Sequence, residues 1–308
     1  MYKRNMKKFT KVLLLCLHVL FSLASCKEKP DDKQADLSAD SLAMKNTDTL
    51  NISEETMTKM IQSIPSPVEM SALIKATGND FNKEILNSTE NTANYATSHK
   101  KAFAVGIYGA DLGYINVYEK TYSALNYLNA IKGLADDIKV GQFFDFNNLK
   151  RFAKSNSNVD SLLYLSTSSF NNMDEYLRQQ RRGNLSVLMV SGAWLEGLYI
   201  ATMVVKDKPN EELYQRIGEQ KSAIDNLLLL LSVYQKDAYT AEVTLGIESL
   251  RNEYENVAIS YEYREPETKE MNGELVVVDN SKTIVNITPA QIKAITAAVE
   301  KVRNKAIL

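Results

Sequence analysis

The sequence predicts a mainly α protein, a helical bundle or stacked helical hairpins, with one small β-hairpin near the C-terminus. Apolar residues recur at helical spacing through most of residues 53–308. Ser66-Pro67 and Thr288-Pro289 each place a capping hydroxyl before a proline, which is typical of a helix start. The β-branched runs of 274–287 flank Asp-Asn-Ser-Lys, a turn-like stretch that favours a hairpin.

The helices follow from these signals in chain order. The first expected helix covers 67–77, and Asp145 is expected to cap a shorter helix. Pro209 is expected to open another, and a final amphipathic helix follows Pro289. Longer helices are expected over 95–136, 158–181, 185–206, 209–235 and 237–262.

A weak internal duplication is one way to organise these helices. Gly109-Ala110-Asp111-Leu112-Gly113 resembles the glycine-bearing stretch 192–200, and an apolar-Asp-polar-Leu-Leu echo follows each. The corresponding halves would be 95–181 and 185–262, with different spacings between their echoes. Length alone allows one domain or two subdomains after residue 52.

The N-terminus has the composition of an exported protein. Residues 1–25 combine five basic residues, no acid and a short apolar segment, which is the pattern of a secretory signal peptide. The end of this segment, Leu23-Ala24-Ser25-Cys26, resembles the lipobox of bacterial lipoproteins. That resemblance implies cleavage before Cys26, a diacylglycerol on its sulfur and an acyl chain such as palmitate on its amine, which together anchor the chain to a membrane.

Residues 26–52 are expected to form a lipidated cysteine and a flexible tether, because small and charged residues dominate them. Lys27 stands where an aspartate would retain an enterobacterial lipoprotein in the inner membrane. The acids that follow resemble, loosely, the export signal of Bacteroidota lipoproteins. These resemblances imply an outer-membrane lipoprotein that faces the periplasm or the cell surface.

Charge and composition narrow the function classes. Cleavage before Cys26 lowers the net charge from −2 to −7, because it removes five basic residues and no acid, and this disfavours nucleic acid as a partner. Cys16 and His18 leave with the signal, so His99 is the one mature histidine and no free thiol remains. We therefore expect no zinc or copper site, no cysteine nucleophile and no cofactor.

Residues 185–205 form the most apolar stretch of the mature chain, with Glu196 as its single charge. Its length would allow a membrane span. Three observations favour a buried central helix instead: a charge lies near the centre of the stretch, Pro209 follows soon after it, and Cys26 implies sorting to the outer membrane. Ala193 and its small neighbours at four-residue spacing could face the glycine stripe of 102–128.

Four residues are candidates for a ligand site or a buried polar cluster: Asp111, Tyr118, Trp194 and Glu196. A carboxylate on an apolar helix face must find a partner or a proton, and it then serves either structure or chemistry. Asp111 occupies the matching place in the first half of the weak repeat, so the pair could resemble a two-carboxylate site. Tyr118 belongs to an aromatic stripe that either packs in the core or lines a groove.

The sequence favours a lipid-anchored envelope protein that binds or assembles a protein, peptide or glycan. Two alternatives stay open, an envelope hydrolase that uses Asp111 and Glu196, and a purely structural lipoprotein. No nucleophile–histidine motif, dinucleotide loop or phosphate loop is found in the sequence.

Overall fold

Polar caps start the helices where the sequence places them. The Ser66 hydroxyl accepts from the Val68 amide, and Thr288 and Gln291 form a reciprocal capping box. Asp145 accepts from the Asn148 amide. The expected start at Pro209 shifts by two residues, because the side chain of Asn210 caps the helix.

The computed structural model describes residues 52–153, 159–271, 274–278 and 280–307. Within them the α-helices are α1 Glu54–Gln62, α2 Pro67–Ala76, α3 Ser98–Val117, α4 Thr121–Asp137, α5 Phe146–Ala153, α6 Val159–Gln179, α7 Gly183–Asp207, α8 Glu211–Ser232, α9 Ala238–Glu253 and α10 Pro289–Ile307. Short 3₁₀ turns cover Lys83–Ile85, Thr89–Asn94 and Gly141–Phe143. The fold is mainly α, as predicted. The signal peptide, Cys26 and all but the last residue of the predicted tether lie outside the described residues.

Helices α3 and α7 form the centre of the fold, and two glycines let their backbones approach closely. A Cβ atom on Gly106 would lie 1.9 Å from the Met189 carbonyl oxygen, and one on Gly192 would lie 2.2 Å from the Phe103 carbonyl oxygen. The predicted close packing of the two helices is confirmed at Gly106, since its Cβ would also lie 2.7 Å from the Ala193 amide nitrogen. The two stripes do not face each other along their length, because Gly109 faces Phe170 and Gly113 faces Val68. On α7, Gly192 makes the closest approach, while Gly197 accommodates Pro67 of α2.

The most apolar stretch of the mature chain is a core helix. Helix α7 is the one described helix long and apolar enough to cross a membrane, yet 83% of its apolar window is buried inside the protein. The prediction of a buried central helix is confirmed. The other helices surround this pair, with α2, α6, α8 and α10 in contact with α7.

One predicted helix is divided in two, and another ends earlier than expected. The helix predicted over 95–136 is α3 and α4, separated at Glu119, which has a left-handed φ of 58°. The helix predicted over 237–262 ends at Glu253, because the alternating β-branched and aromatic residues that follow form a strand.

The C-terminal strands form one interrupted antiparallel ribbon. They are β1 Ala258–Glu262, β2 Glu267–Met271, β3 Glu274–Val278 and β4 Lys282–Asn286. Strand β2 pairs with β3, and β1 pairs with β4. The predicted strands of 274–287 exist, but their predicted pairing with each other is wrong, because each pairs with a strand from the segment before residue 272. Val285 of β4 packs into the space left by Gly218 of α8, which fixes the base of the ribbon.

Candidate functional site

A cleft of about 790 Å³ opens between α1, α2 and α6, over the central pair α3 and α7. Its size lies in the range of ligand pockets in proteins. Most of the wall is apolar. The apolar lining side chains include Ile61, Ile64, Val68, Phe170, Val190 and Trp194.

Small residues form the floor of this cleft. Gly109 and Ala110 of α3 and Ala193 of α7 line it, so the helix backbones there carry little side chain. The ring of Phe170 fills part of the space, since a Cβ on Gly109 would lie 2.5 Å from it. The glycine stripe that the sequence reveals thus serves both helix packing and the floor of a cleft.

Trp194 joins the cleft to the core. Its indole N–H donates to Gln220 Oε1 at 2.9 Å, and the residue is 3% exposed while one part of it lines the cleft. This hydrogen bond satisfies the buried indole and holds the ring in place. The candidate Trp194 is therefore a largely buried residue, one part of which lies in the cleft wall.

The rim of the cleft is predominantly acidic. Glu54, Glu55, Asp174 and Glu175 line it, against the single guanidinium of Arg178. Arg178 donates to both Asp174 Oδ2, at 3.0 and 3.1 Å, and Thr58 Oγ1, at 2.7 Å, so it ties α6 to α1 across the cleft. Asp174 pairs with Arg178, which also lies 4.0 Å from Glu54, and Lys59 pairs with Glu55 at 2.6 Å. These two cations offset part of the charge of the four carboxylates, so the rim keeps a smaller net negative charge.

Glu196 and Asp111 lie together, in a different place. Glu196 accepts two hydrogen bonds from Arg303 of α10, at 3.0 Å from Nε and 2.7 Å from Nη2. The guanidinium carbon lies 4.3 Å from the centre of the Tyr199 ring. Glu196 and Asp111 are fully buried, and Arg303 is 5% exposed. The buried carboxylate of Glu196 has found its partner in a bidentate ion pair.

The Asp111 carboxyl of this cluster has a raised pKa. Burial and the nearby charge of Glu196 raise the pKa of the Asp111 carboxyl well above its usual value, against the opposing effect of Arg303. The two carboxyls are within hydrogen-bonding reach of each other. Asp111 Oδ2 accepts from the Asn87 amide at 3.2 Å, and the buried Oδ1 has no recorded hydrogen-bond partner among the described residues. When Asp111 is protonated, its hydroxyl can donate to Glu196.

Tyrosine side chains next to this cluster hold the irregular segment around Asn87 and Ser88 in place. Tyr127 donates to the Asn87 carbonyl oxygen at 2.8 Å, and Asn87 Nδ2 donates to the Tyr95 hydroxyl at 3.0 Å. Tyr108 donates to the Ser88 carbonyl oxygen at 2.8 Å. Burial raises the pKa of Tyr95, Tyr108 and Tyr127, so these hydroxyls stay protonated. Those of Tyr108 and Tyr127 donate to backbone carbonyls, and that of Tyr95 accepts from Asn87. This network replaces the backbone partners that an irregular buried segment lacks.

The cluster and the cleft are separate. A second, smaller cleft of about 240 Å³ lies between α3, α9 and α10. The residues that line these two clefts include neither Asp111 nor Glu196. Glycoside hydrolysis needs two carboxylates that flank a bound sugar, with room for substrate between them. A pair of buried carboxyls in hydrogen-bonding reach, one of them held by an arginine, offers no such space.

Tyr118 holds a loop. It follows the last residue of α3, and its hydroxyl donates to the Asn79 carbonyl oxygen at 2.7 Å. Its ring packs against Phe81 and Tyr114. Tyr122, the next member of the predicted aromatic stripe, lies beyond the break at Glu119 and is 86% exposed. The break therefore divides the stripe, and Tyr118 lines neither described cleft.

The remaining candidate chemistry is sparse in the part of the chain that the structure describes. No group of three or more His, Cys, Asp or Glu side chains there could hold a metal ion. His99 Nε2 lies 2.8 Å from Asn184 Nδ2 and 3.4 Å from Asp237 Oδ2. These contacts link the start of α3 to the starts of α7 and α9.

Comparison with protein-family models, with curated proteins and with solved structures finds no match to this chain.

Sequence reasoning missed Arg303. The signal was present, since Ile292, Ile295 and Val299 form the apolar face of the last helix and Arg303 continues that face one turn later. A charged residue on a buried helix face needs a buried partner of opposite sign. Glu196 was the matching charge.

Proposed function

We propose that the chain is a lipid-anchored cell-envelope protein that binds a ligand in the cleft between α1, α2 and α6. The observation that carries this proposal is a cleft of about 790 Å³ that combines a mostly apolar lining with a negatively charged rim. A monomer gains no stability from leaving such a surface open to water, so the cleft has the character of a binding site.

The anchoring part of the proposal comes from the sequence. The basic segment, the apolar segment and Leu23-Ala24-Ser25-Cys26 have the order and spacing of a lipoprotein signal. Acyl chains on one cysteine suffice for stable attachment to a membrane. The sequence near Lys27 favours the outer membrane, on either its periplasmic or its outer face.

The cleft chemistry favours a ligand that is apolar and carries a positive group. Glu54 and Glu55 are 68% and 78% exposed, so they would contribute orientation and faster association more than affinity. The apolar wall around Trp194 would supply most of the affinity. A peptide segment with apolar side chains and a lysine or arginine has this chemistry, and a peptide is one of the three ligand classes expected from the sequence, which were a protein, a peptide or a glycan.

The two other hypotheses fit less well. A hydrolase that uses Asp111 and Glu196 would need substrate to reach a cluster that is buried and away from both described clefts. A purely structural lipoprotein gives no reason for an open apolar cleft. We therefore retain the binding protein as the proposed function.

Trp194 is the single tryptophan, so its fluorescence tests the proposal directly. The probes are two capped peptides of the sequences Lys-Leu-Phe-Leu-Lys and Glu-Leu-Phe-Leu-Glu, titrated into the full mature chain. The lysine peptide is expected to shift Trp194 emission in a saturable manner, and the glutamate peptide to bind at least several-fold more weakly. Equal binding of both peptides, or of neither, would contradict the proposed cleft chemistry.

A matched pair of variants separates the cleft from the rest of the surface. Val190→Arg places a long cation on the cleft wall and should abolish the fluorescence response. Leu229→Arg makes the same change on an exposed position of α8 and should leave the response intact. Circular dichroism of both variants checks that each retains its helices.

A further inference from the structure

The ribbon of β1 to β4 exposes an unusual amount of apolar surface. In β3, Leu275 is 79% exposed and Val277 is 68% exposed on one face, and Val276 is 40% exposed on the other. Tyr261 and Tyr263 of the opposite arm are also exposed. Only β4 has substantial packing against the helices, through α8, so the β2–β3 end carries this surface without support.

Both outer edges of β2 and β3 lack a neighbouring strand among the described residues. An unpaired edge presents backbone N–H and C=O groups that can accept another strand. The two edges differ in their protection. Strand β2 carries Glu267, Lys269 and Glu270, and charges of this kind, lysine above all, block edge pairing. The run Leu275–Val278 of β3 has no charge at all.

The sequence of β3 is compatible with pairing to itself. In a two-fold antiparallel pair centred on Val276, Val276 faces Val276 of a second copy and Leu275 faces its Val277. Every one of these cross-strand pairs is apolar, and apolar β-branched pairs stabilise a sheet. The same pairing of β2 about its centre would bring two Lys269 side chains together, which is unfavourable. Self-pairing therefore selects β3.

We propose that two copies of the chain associate through their β3 strands, which forms a four-stranded sheet in the order β2–β3–β3–β2. The interface is isologous and closes as a dimer, so it does not extend into a fibre. It would cover Leu275 and Val277, the most exposed apolar residues of the ribbon tip. This dimer is independent of the cleft, which lies between α1, α2 and α6.

Two five-residue strands bury less surface than a stable interface of roughly 1,000 Å² or more. The dimer should therefore be weak in dilute solution and stronger where copies are concentrated. Attachment to one membrane by the proposed lipid anchor would provide that concentration. The test has to be made on the full-length protein in cells.

A single cysteine on the two-fold axis reports the pairing. Directly opposed residues in antiparallel strands have Cα atoms about 4.5–5.5 Å apart, which is within reach of a disulfide. Val276→Cys in the full-length protein is expected to give a disulfide-linked homodimer on a non-reducing gel. The unsubstituted full-length protein provides the background, since its Cys16 leaves with the proposed signal peptide and its Cys26 sulfur carries the proposed lipid.

Lys269→Cys is the matched control, because Lys269 pairs with Val276 across the ribbon and sits on the outer edge of β2. It should give several-fold less homodimer than Val276→Cys. Adding Val277→Lys to Val276→Cys should reduce the crosslink to the level of the control, because it puts a charge opposite Leu275 of the second copy. Equal crosslinking of Val276→Cys and Lys269→Cys would overturn the proposal, and so would a Val276→Cys crosslink to a different protein. Circular dichroism checks that each variant folds.

Discussion

The proton on Asp111 gives the protein a predictable dependence of stability on pH. Because Glu196 and burial raise the Asp111 pKa above its ordinary value of 3.8, the folded state holds a proton that the unfolded chain releases. The free energy of unfolding therefore falls as the pH rises from about 3.8 to the raised pKa. Within that window the fall is about 1.4 kcal/mol per pH unit for this one group.

Asp111→Asn removes the titration but keeps the geometry. The amide oxygen can still accept from the Asn87 amide, and the NH₂ group can donate to Glu196 as the protonated carboxyl does. The variant should match the wild type below pH 3.8 and become more stable than it above that pH. The difference in the free energy of unfolding should grow by about 1.4 kcal/mol per pH unit until it reaches a plateau.

Urea unfolding of both proteins at half-unit pH steps from 3.5 to 8 measures this difference. The pH at which the plateau begins gives the folded-state pKa of Asp111. Asp137→Asn is the control, because Lys101 lowers the pKa of the exposed Asp137 and its titration ends before the window begins. A difference between Asp111→Asn and wild type that stays constant with pH would refute the shared proton.

Five further substitutions test the ion pair, the helix crossing and the anchor. Arg303→Met should cost about 3–5 kcal/mol in urea unfolding, because it leaves the Glu196 carboxylate buried and unpaired, and adding Glu196→Gln should recover most of that loss. Gly106→Ala should destabilise the fold by about 1–3 kcal/mol or more through overpacking. Gly133 has open space around it, so Gly133→Ala should raise the free energy of unfolding by up to about 1 kcal/mol. Equal effects of the two glycine substitutions on stability would contradict the close crossing of α3 and α7. Cys26→Ala should release the protein from membranes in cell fractionation, and continued attachment would contradict the lipid anchor.

Local signals were sufficient for the helices. The capping hydroxyls of Ser66 and Thr288 and the carboxylate of Asp145 act on amides within three residues, so their effect is legible from sequence. The glycine stripe on α3 also predicted a close helix contact, because glycine in a helix interior is costly without such a reason. No proline or glycine lies at Glu119, so the sequence did not predict the break between α3 and α4.

The strand pairing shows the first limit. Each of β3 and β4 has clear β propensity, and the turn-like residues between them favoured a hairpin. The long ribbon wins because β1 and β2 supply partners for both strands and because Val285 anchors β4 on α8. The observed pairing depends on the relative stability of all possible strand pairs, and the sequence of one segment alone does not give those relative stabilities.

By itself, the sequence determined the mainly α class, most helix starts, the central α7 and the need for a partner to Glu196. Only the tertiary structure decided that Arg303, 107 residues away, is that partner, that Asp111 shares its site, and that an open cleft lies elsewhere. Hydrogen bonds and periodicity act over a few residues and leave a local record. An ion pair or a cleft depends on how separate helices are placed against each other, and that is fixed by the packing of the whole core.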